Sequence, residues 1–234
     1  MKKYLGVFLF FMAIPVFATI KYSYKNPDEL FQSYWDYTMK QFPDSATYVG
    51  ITTYDNLWPD YSLEAIQERQ EIYKHFQTNA KKFQSQKLDP RNSLNLAIFI
   101  REIDSMVESF KFSDHLMPIT QLGGVHQEAV QTLDAMPAKT KKDFDNINQR
   151  LQKLPKLIDQ NIALMRLGIQ QKITPPQITI RDVGDQIKAQ IVADPLKSPL
   201  LQKYAQKPKN VLTKDFEALK KEASAIYTSK IKPS

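Results

Sequence analysis

Three histidines are the first candidates for chemistry in this chain, and their spacing is poor for a metal site. His75, His115 and His126 are scattered, and none belongs to a His-Glu-x-x-His helix, the pattern that supplies two zinc ligands and a general base. The fold could bring His115 and His126 to one metal ion, but the residues between them do not indicate a metal site. The sequence holds no cysteine, which excludes thiolate zinc sites and disulfides. We predict no catalytic, cofactor-binding or metal-binding residue in this chain.

Motifs for a nucleophile or a phosphate are also missing from the sequence. A serine hydrolase needs a Ser on a strained turn, and no Gly-x-Ser-x-Gly occurs. Gly123-Gly124 lacks the lysine of a phosphate-binding loop, so a hinge is the better interpretation. Asp143 and Asp145 stand at a predicted helix start, where their charges complement the helix dipole. We interpret these carboxylates as structural.

The stretch from Phe42 to Ser62 is the most distinctive, because it concentrates aromatic and acidic residues in a predicted turn and loop. Two interpretations are open. Its Asp side chains can bond their own backbone and hold the loop in shape, or the stretch can form one wall of a binding cleft. The residues alone favour the first interpretation.

The elements that would position all these residues are predicted to be helices. Apolar residues recur at spacings of three and four along most of the chain, and no alternating strand pattern is convincing. The fold class is therefore predicted to be all-α, an irregular array of about six or seven helices. Helix starts are predicted at Asn26-Pro27, Ser62, Asp89-Pro90, Thr140, Pro175-Pro176 and Thr213.

Several features predict how these helices end and pack. Pro155 should kink or split the helix that begins near residue 141, and Gly168 should end it. A wide apolar face over residues 94–110 predicts a helix that is buried on more than one side. The last helix carries an apolar stripe from Phe216 to Ile231 with little sequence after it to cover it. We therefore expect exposed apolar surface and marginal stability.

Composition and the first residues limit the class of protein. The 234 residues are 42% hydrophobic and 24% charged, as in a globular protein. The net charge of +7 is spread among acidic residues, so no nucleic-acid partner is expected. Residues 1–18 combine a basic start, a short apolar run and a terminal Ala18, which is typical of a signal peptide. We expect residues 19–234 to be exported, periplasmic or secreted, with no stable membrane anchor.

A series of short motifs, taken in order, makes the chain resemble the bacterial family catalogued as domain of unknown function 885. Each motif is modest, and their shared order along residues 19–234 carries the resemblance. The motifs are Phe-Pro-x-x-Ala-Thr-x-x-Gly at 42–50, Tyr54-Asp55-x-Leu57, Asp60-x-Ser62, Leu116-Met117-Pro118 followed by Gly123, Arg150-Leu151, Leu154-Pro155, Leu167-Gly168, Pro175 and Ser198-Pro199.

The resemblance implies the N-terminal helical part of a larger, zincin-like fold. Members of the family are usually longer and often exported, and they resemble zinc-dependent peptidases through a His-Glu-x-x-x-Gly-His-type motif in their C-terminal half. That motif is not in this sequence, so no zinc ligand is carried over and zinc is expected only in the missing half. The helical N-terminal part that is present would form part of the wall of the substrate cleft.

Three functional interpretations follow from the resemblance. The chain is expected to be a truncated, peptidase-related protein that is inactive alone. Alternatively, it is one half of a split peptidase and associates with a separately encoded C-terminal catalytic half. The third interpretation is a stand-alone helical protein that binds peptides or a small ligand.

Overall fold

The structure is a computed structural model that describes residues 23–234, and the predicted signal peptide at 1–18 lies outside that range. The described residues form nine α-helices, and the one extended pairing among them is an isolated bridge between Thr120 and Gly123. Seven of these helices have seven or more residues. The all-α prediction is confirmed. Within residues 23–234, no helix has both the length and the apolar character that crossing a bilayer requires.

Short 3₁₀ turns lie in three of the connections between the described helices, at residues 52–54, 110–116 and 195–204. A π-helical turn, Tyr227–Ile231, follows the last α-helix. The α-helices are α1 (Pro27–Gln41), α2 (Pro43–Tyr48), α3 (Leu63–Phe83), α4 (Pro90–Ser109), α5 (Val125–Ala135), α6 (Lys141–Gln171), α7 (Gln177–Ile180), α8 (Val183–Gln190) and α9 (Thr213–Ile226).

Capping residues start four of these helices, as the sequence predicts. The side chains of Asn26, Ser62, Asp89 and Thr140 each accept a hydrogen bond from the backbone N–H three residues later. At Thr140 the bond is reciprocal, because the Asp143 carboxylate accepts from the Thr140 N–H at 2.8 Å. Each such cap stabilises its helix by about 1 kcal/mol.

Helix α6 is the longest element, and Pro155 lies inside it. The helix runs unbroken for 31 residues, so the split predicted as one of two outcomes at Pro155 is wrong. Proline costs a helix about 3 kcal/mol through the lost N–H bond and a clash with the preceding turn. The flanking Leu151, Leu154 and Leu157 are all buried in one core, and burial of such side chains, about 1.5–3 kcal/mol each, outweighs that cost.

Gly168 does not end α6, which is a second correction. The helix continues to Gln171, and its C-cap residue Lys172 has the left-handed φ of 60°. A Cβ on residue 168 would lie 2.6 Å from the carbonyl oxygen of Ile173 and 2.9 Å from that of Leu116. Glycine is therefore required there because two other backbone segments approach α6 closely.

The apolar side chains form two main clusters. The first lies among α5, α6, α9 and the 3₁₀ turn Pro199–Tyr204, and the second lies among α1, α3 and α4. The stripe of α9 belongs to the first cluster. Phe216 and Leu219 are 2% and 5% exposed because α6 and the Pro199–Tyr204 turn cover them. The expectation that this stripe lacks a cover is wrong.

Helix α4 is buried on one side only, contrary to the expectation of several buried sides. Leu96, Ile100 and Ile103 are buried, and α4 packs on α3 and α1. Leu94 and Ile98, on the same helix, are 62% and 47% exposed because α3 and α1 reach only the opposite side.

Candidate functional site

The three histidines lie on three different elements. His75 is on α3 beside Asn79, whose Nδ2 lies 3.0 Å from the imidazole Nε2. His115 belongs to the 3₁₀ turn Asp114–Leu116, and His126 is on α5. Among residues 23–234, no group of three His, Cys, Asp or Glu side chains is placed to hold a metal ion.

The carboxylates at the start of α6 are engaged in helix contacts. Asp143 accepts hydrogen bonds from the backbone N–H groups of Lys139 and Thr140 at 2.9 and 2.8 Å. Asp145 forms an ion pair with Lys141 at 2.9 Å. Both carboxylates therefore stabilise the first turn of α6, which agrees with their structural interpretation.

The two consecutive glycines form a tight turn in front of α5. Gly124 has a φ of 129°, and a Cβ there would lie 3.0 Å from the carbonyl oxygen of Pro118. The Gly124 N–H donates to the Glu128 carboxylate at 3.1 Å. The side chain of Glu128 in the first turn of α5 thus binds the backbone N–H in front of the helix. The hinge predicted from the sequence at Gly123-Gly124 stays a prediction.

Residues 43–62 dock onto α6, and Arg150 is the centre of that contact. Arg150 is 0% exposed. Its guanidinium donates to the carbonyl oxygens of Leu57, Pro43 and Tyr54 at 2.9, 3.1 and 3.3 Å. A buried cation is stable only when its donors are satisfied. The segment is shaped around this side chain.

Two further contacts complete the surroundings of Arg150. Its Nη1 donates to the Thr47 hydroxyl at 3.0 Å, and that hydroxyl donates to the buried Asp55 carboxylate at 2.7 Å. The Trp58 ring lies 4.9 Å from the guanidinium carbon, and the indole N–H donates to the Arg150 carbonyl oxygen at 2.8 Å. Burial lowers the pKa of Arg150 to about 10, so it is charged at neutral pH.

Asp60 ties the end of the same segment to both α3 and α6. Its carboxylate accepts from the Ser62 N–H at 2.9 Å, from Gln160 at 2.7 Å and from Lys156 at 3.1 Å. Burial opposes ionisation, but these hydrogen bonds prevail and lower the pKa of Asp60. Asp55 and Asp60 therefore hold the loop, which supports the structural interpretation of residues 43–62.

An apolar pocket opens on the neighbouring face of α6. We call it the α5–α8 pocket, because α5, α6 and α8 supply most of its walls. It has a volume of about 230 Å³. The π-helical turn Tyr227–Ile231 closes one end. Apolar side chains in its lining include Val125, Leu154, Ile158, Met165, Ile187 and Ile191.

Helix α8 forms a thin wall of this pocket. None of its residues is buried. The wall is held by hydrogen bonds: the side-chain amide of Gln190 donates to the His126 carbonyl oxygen at 2.6 Å, and the Tyr227 hydroxyl donates to the Gln190 carbonyl oxygen at 3.0 Å. Weak burial combined with specific hydrogen bonds suits an element that adjusts to a ligand.

His126 supplies the polar edge of the α5–α8 pocket. The Gln186 amide N–H donates to the Gln121 carbonyl oxygen at 3.1 Å, which turns its oxygen toward His126 Nε2 at 3.0 Å. An amide oxygen only accepts, so Nε2 carries the proton. Nδ1 is then an acceptor, and it is buried without a hydrogen-bond partner among residues 23–234.

The sequence pattern does not indicate this pocket. It predicts the residues on α6 and α8 as parts of apolar helix stripes, and it gives His126 no metal-binding motif. The available signal was a surplus of apolar residues: Ile158, Ile162 and Met165 widen the stripe of α6 beyond what one neighbouring helix can cover. Gln190 also lines the pocket, and Gln186 and Gln127 form a hydrogen-bonded group beside His126.

The family of this chain follows from a comparison with sequence models of known families. A sequence model of the family described as "Bacterial protein of unknown function (DUF885)" matches residues 43–234. The chain belongs to this family. The DUF885 match includes the docked segment 43–62, Arg150 and the α5–α8 pocket, whereas α1 precedes it. A comparison with curated protein sequences gave no match.

Proposed function

We propose that this protein is an exported, helical DUF885 member that binds an apolar peptide segment in the α5–α8 pocket and does not cleave peptides by itself. Export is supported by the signal-peptide pattern of residues 1–18. Binding is supported by the shape and lining of the pocket. Lack of activity is supported by the resemblance, because the zinc motif expected in the family has no counterpart in this sequence.

The unpartnered Nδ1 of His126 is the observation that carries the peptide proposal. The imidazole is 9% exposed and lines the pocket, and its Nδ1 is a buried acceptor without a hydrogen-bond partner among residues 23–234. An unpaired buried polar atom costs about 1–3 kcal/mol. A peptide supplies an apolar side chain for the cavity and a backbone N–H for the imidazole, so one ligand satisfies both features.

The volume sets the size of the occupant. At about 230 Å³ the pocket is smaller than the 300–1,000 Å³ typical of sites for drug-sized ligands. It suits one or two aliphatic side chains. Ile187 and Ile191 at the rim are 40% and 51% exposed, so they can contact the rest of a bound peptide.

Calorimetric titration with the uncharged dipeptide N-acetyl-Leu-Leu-amide tests the binding proposal. Ile191→Asp places a charge on the rim without disturbing a buried residue, and we expect about a tenfold loss of affinity. Ile178→Asp is the matched control, since Ile178 is 60% exposed on α7 and does not line the pocket. Absence of saturable binding, or equal losses in the two variants, contradicts the proposal.

Peptidase activity is tested separately, so that the two parts of the proposal can fail independently. The purified chain is incubated with zinc and a fluorogenic peptide mixture, and we expect no cleavage above the background. Cleavage that a chelator abolishes would show that this chain is a metallopeptidase on its own.

A second candidate function is supported by exposed apolar residues near the end of α6 and on α7. Ile169, Ile178 and Ile180 are 66%, 60% and 40% exposed. Exposed apolar residues of this kind fit contact with another protein, here a separately encoded catalytic half. If the neighbouring reading frame encodes a His-Glu zinc motif, the two products should associate and show zinc-dependent cleavage only together. Otherwise the binding function stands alone.

A further inference from the structure

A second buried arginine, Arg69 on α3, is bonded very differently from Arg150. Arg69 is 5% exposed. Its Nη1 donates to the carbonyl oxygen of Asp60 at 2.7 Å, which is its one hydrogen bond among residues 23–234. The guanidinium carbon lies 5.5 Å from the Phe42 ring centroid and 5.8 Å from that of Tyr61. In the described part of the chain, no carboxylate forms an ion pair with it.

The ring contacts do not use the donors of Arg69. The five N–H groups of a guanidinium lie in its plane, and they match the two oxygens of a carboxylate. Arg150 donates hydrogen bonds to four oxygen atoms of residues 43–62. This fold thus gives one buried guanidinium four acceptors, and it gives Arg69 a single one. Burying a cation with a single neutral acceptor is costly.

Arg69 borders a cavity that can admit the missing partner. The cavity has a volume of about 220 Å³ and lies between α3 and the end of α4. Phe42, Tyr61, Tyr73 and Phe110 give it aromatic walls.

Arg69 is the positively charged residue in the lining of this cavity. Asp114 and His115 lie at its other side. Burial lowers the pKa of His115 and outweighs the opposite effect of Asp114, so the imidazole is neutral at pH 7. Asp114 adds one negative charge, which disfavours a dianion such as phosphate more than a monoanion.

We propose that the Arg69 cavity is a binding site for a small ligand that carries a carboxylate on an aromatic or apolar body. The carboxylate accepts two hydrogen bonds from Arg69, and the aromatic walls hold the body of the ligand. A free aromatic acid and the C-terminal carboxylate of a peptide share this chemistry. The site uses no residue of the α5–α8 pocket, so it stands independently of the proposed function.

Benzoate and N-acetylphenylalanine are the probes, and benzamide and N-acetylphenylalanine amide are their uncharged counterparts. We expect saturable binding of at least one acid by calorimetry and no binding of either amide. Tighter binding of N-acetylphenylalanine indicates a peptide terminus, and tighter binding of benzoate indicates a small aromatic acid. Failure of both acids to bind up to their solubility limits overturns the proposal.

Two variants locate the binding. Arg69→Met should weaken it by about tenfold or more, as expected when a charged hydrogen bond is lost. Gln70→Glu keeps Arg69 but adds a negative charge to the lining, so it should weaken binding similarly even if Arg69→Met fails to fold. Gln67→Glu makes the same charge change at an exposed position of α3 outside the cavity and should leave affinity unchanged. Binding that is equal in Gln70→Glu and Gln67→Glu overturns the proposal.

Discussion

Two neighbouring faces of α6 are built in opposite ways. One face, which we call the segment face, carries Arg150, Lys153 and Gln160 and binds residues 43–62 through hydrogen bonds to specific oxygens. The other, the pocket face, carries Leu154, Ile158 and Met165 and forms the floor of the α5–α8 pocket. Polar side chains hold residues 43–62 on the segment face, whereas the apolar side chains of the pocket face border a cavity.

The difference shows where this chain can accept a ligand. On the segment face, each guanidinium nitrogen of Arg150 donates to an acceptor within the protein, and the side chain is 0% exposed, so it is not accessible to another molecule. On the pocket face, the Nδ1 of His126 has no hydrogen-bond partner among residues 23–234, and the apolar side chains border a cavity of about 230 Å³. The candidate binding region therefore combines a cavity with a buried polar group that lacks a hydrogen-bond partner. The Arg69 cavity is similar, since its guanidinium has a single hydrogen-bond acceptor among residues 23–234.

The largest expected effect comes from Arg150→Met, which removes the charge but keeps most of the side-chain volume. It leaves the carbonyl oxygens of Pro43, Tyr54 and Leu57 without the Arg150 donor and removes the positive charge near the buried Asp55 carboxylate. We expect the free energy of unfolding to fall by about 3–5 kcal/mol, as measured by urea denaturation. Arg166→Met is the control, because Arg166 is exposed on the same helix, and it should change stability by less than about 0.5 kcal/mol. Similar losses in both variants would contradict the role of Arg150.

The pocket face is tested by Leu154→Ala, with Leu151→Ala as its matched control. Both leucines are buried on α6, but only Leu154 lines the pocket. Atoms beside a cavity have already lost some packing contacts, so Leu154→Ala should cost about 2–3 kcal/mol, near the low end of the range for buried leucines, and Leu151→Ala more. An equal or larger cost at Leu154 would mean that the pocket is closed and fully packed.

The elements of the fold were largely predictable from sequence because their signals are local. Asn26, Ser62, Asp89 and Thr140 cap helices through contacts three residues away, and a sequence shows such contacts directly. Pro155 and Gly168 misled the prediction because distant groups decide their roles. Burial of the neighbouring leucines carries α6 through the proline, and the backbone of Leu116 explains the glycine.

The candidate site was hardly predictable, again for a physical reason. Arg150 appeared in the sequence only as part of a family-like Arg-Leu pair, although it organises residues 43–62 from about a hundred positions away. The pocket depends on a residual gap between α5, α6 and α8, and periodicity does not report gaps. His126 was considered as a metal ligand, whereas the structure gives its ring one amide partner and one free acceptor.

The acid dependence of stability provides a smaller test of the segment face. Hydrogen bonds lower the pKa of Asp60 despite burial, so its contribution to stability is present above the unfolded value of about 3.9 and is lost as the pH falls. Between about pH 5 and 2, the wild type should lose more stability than Asp60→Asn. The difference should stay below about 1 kcal/mol, because the Asp60 side chain is 45% exposed.

Asp159→Asn is the control for this pH dependence. Asp159 is an exposed residue of α6 and has no hydrogen bond or ion pair among residues 23–234. Its variant should follow the wild-type pH profile of unfolding, as measured by urea denaturation in a series of buffers. A profile of Asp60→Asn that coincides with the wild type would show that the Asp60 contacts contribute nothing to stability.

The smallest expected effect comes from Lys156→Met, and it separates charge attraction from hydrogen bonding on the segment face. The Lys156 ammonium lies 3.1 Å from the Asp60 carboxylate, but its side chain is 71% exposed, so we expect a loss below about 0.5 kcal/mol that disappears in 1 M salt. Lys153→Met removes a partly buried donor to the Asn56 carbonyl oxygen at 2.9 Å and should cost about 1 kcal/mol with little salt dependence. If Lys156→Met costs more than Lys153→Met, surface charge rather than satisfied carbonyl groups holds residues 43–62 on α6.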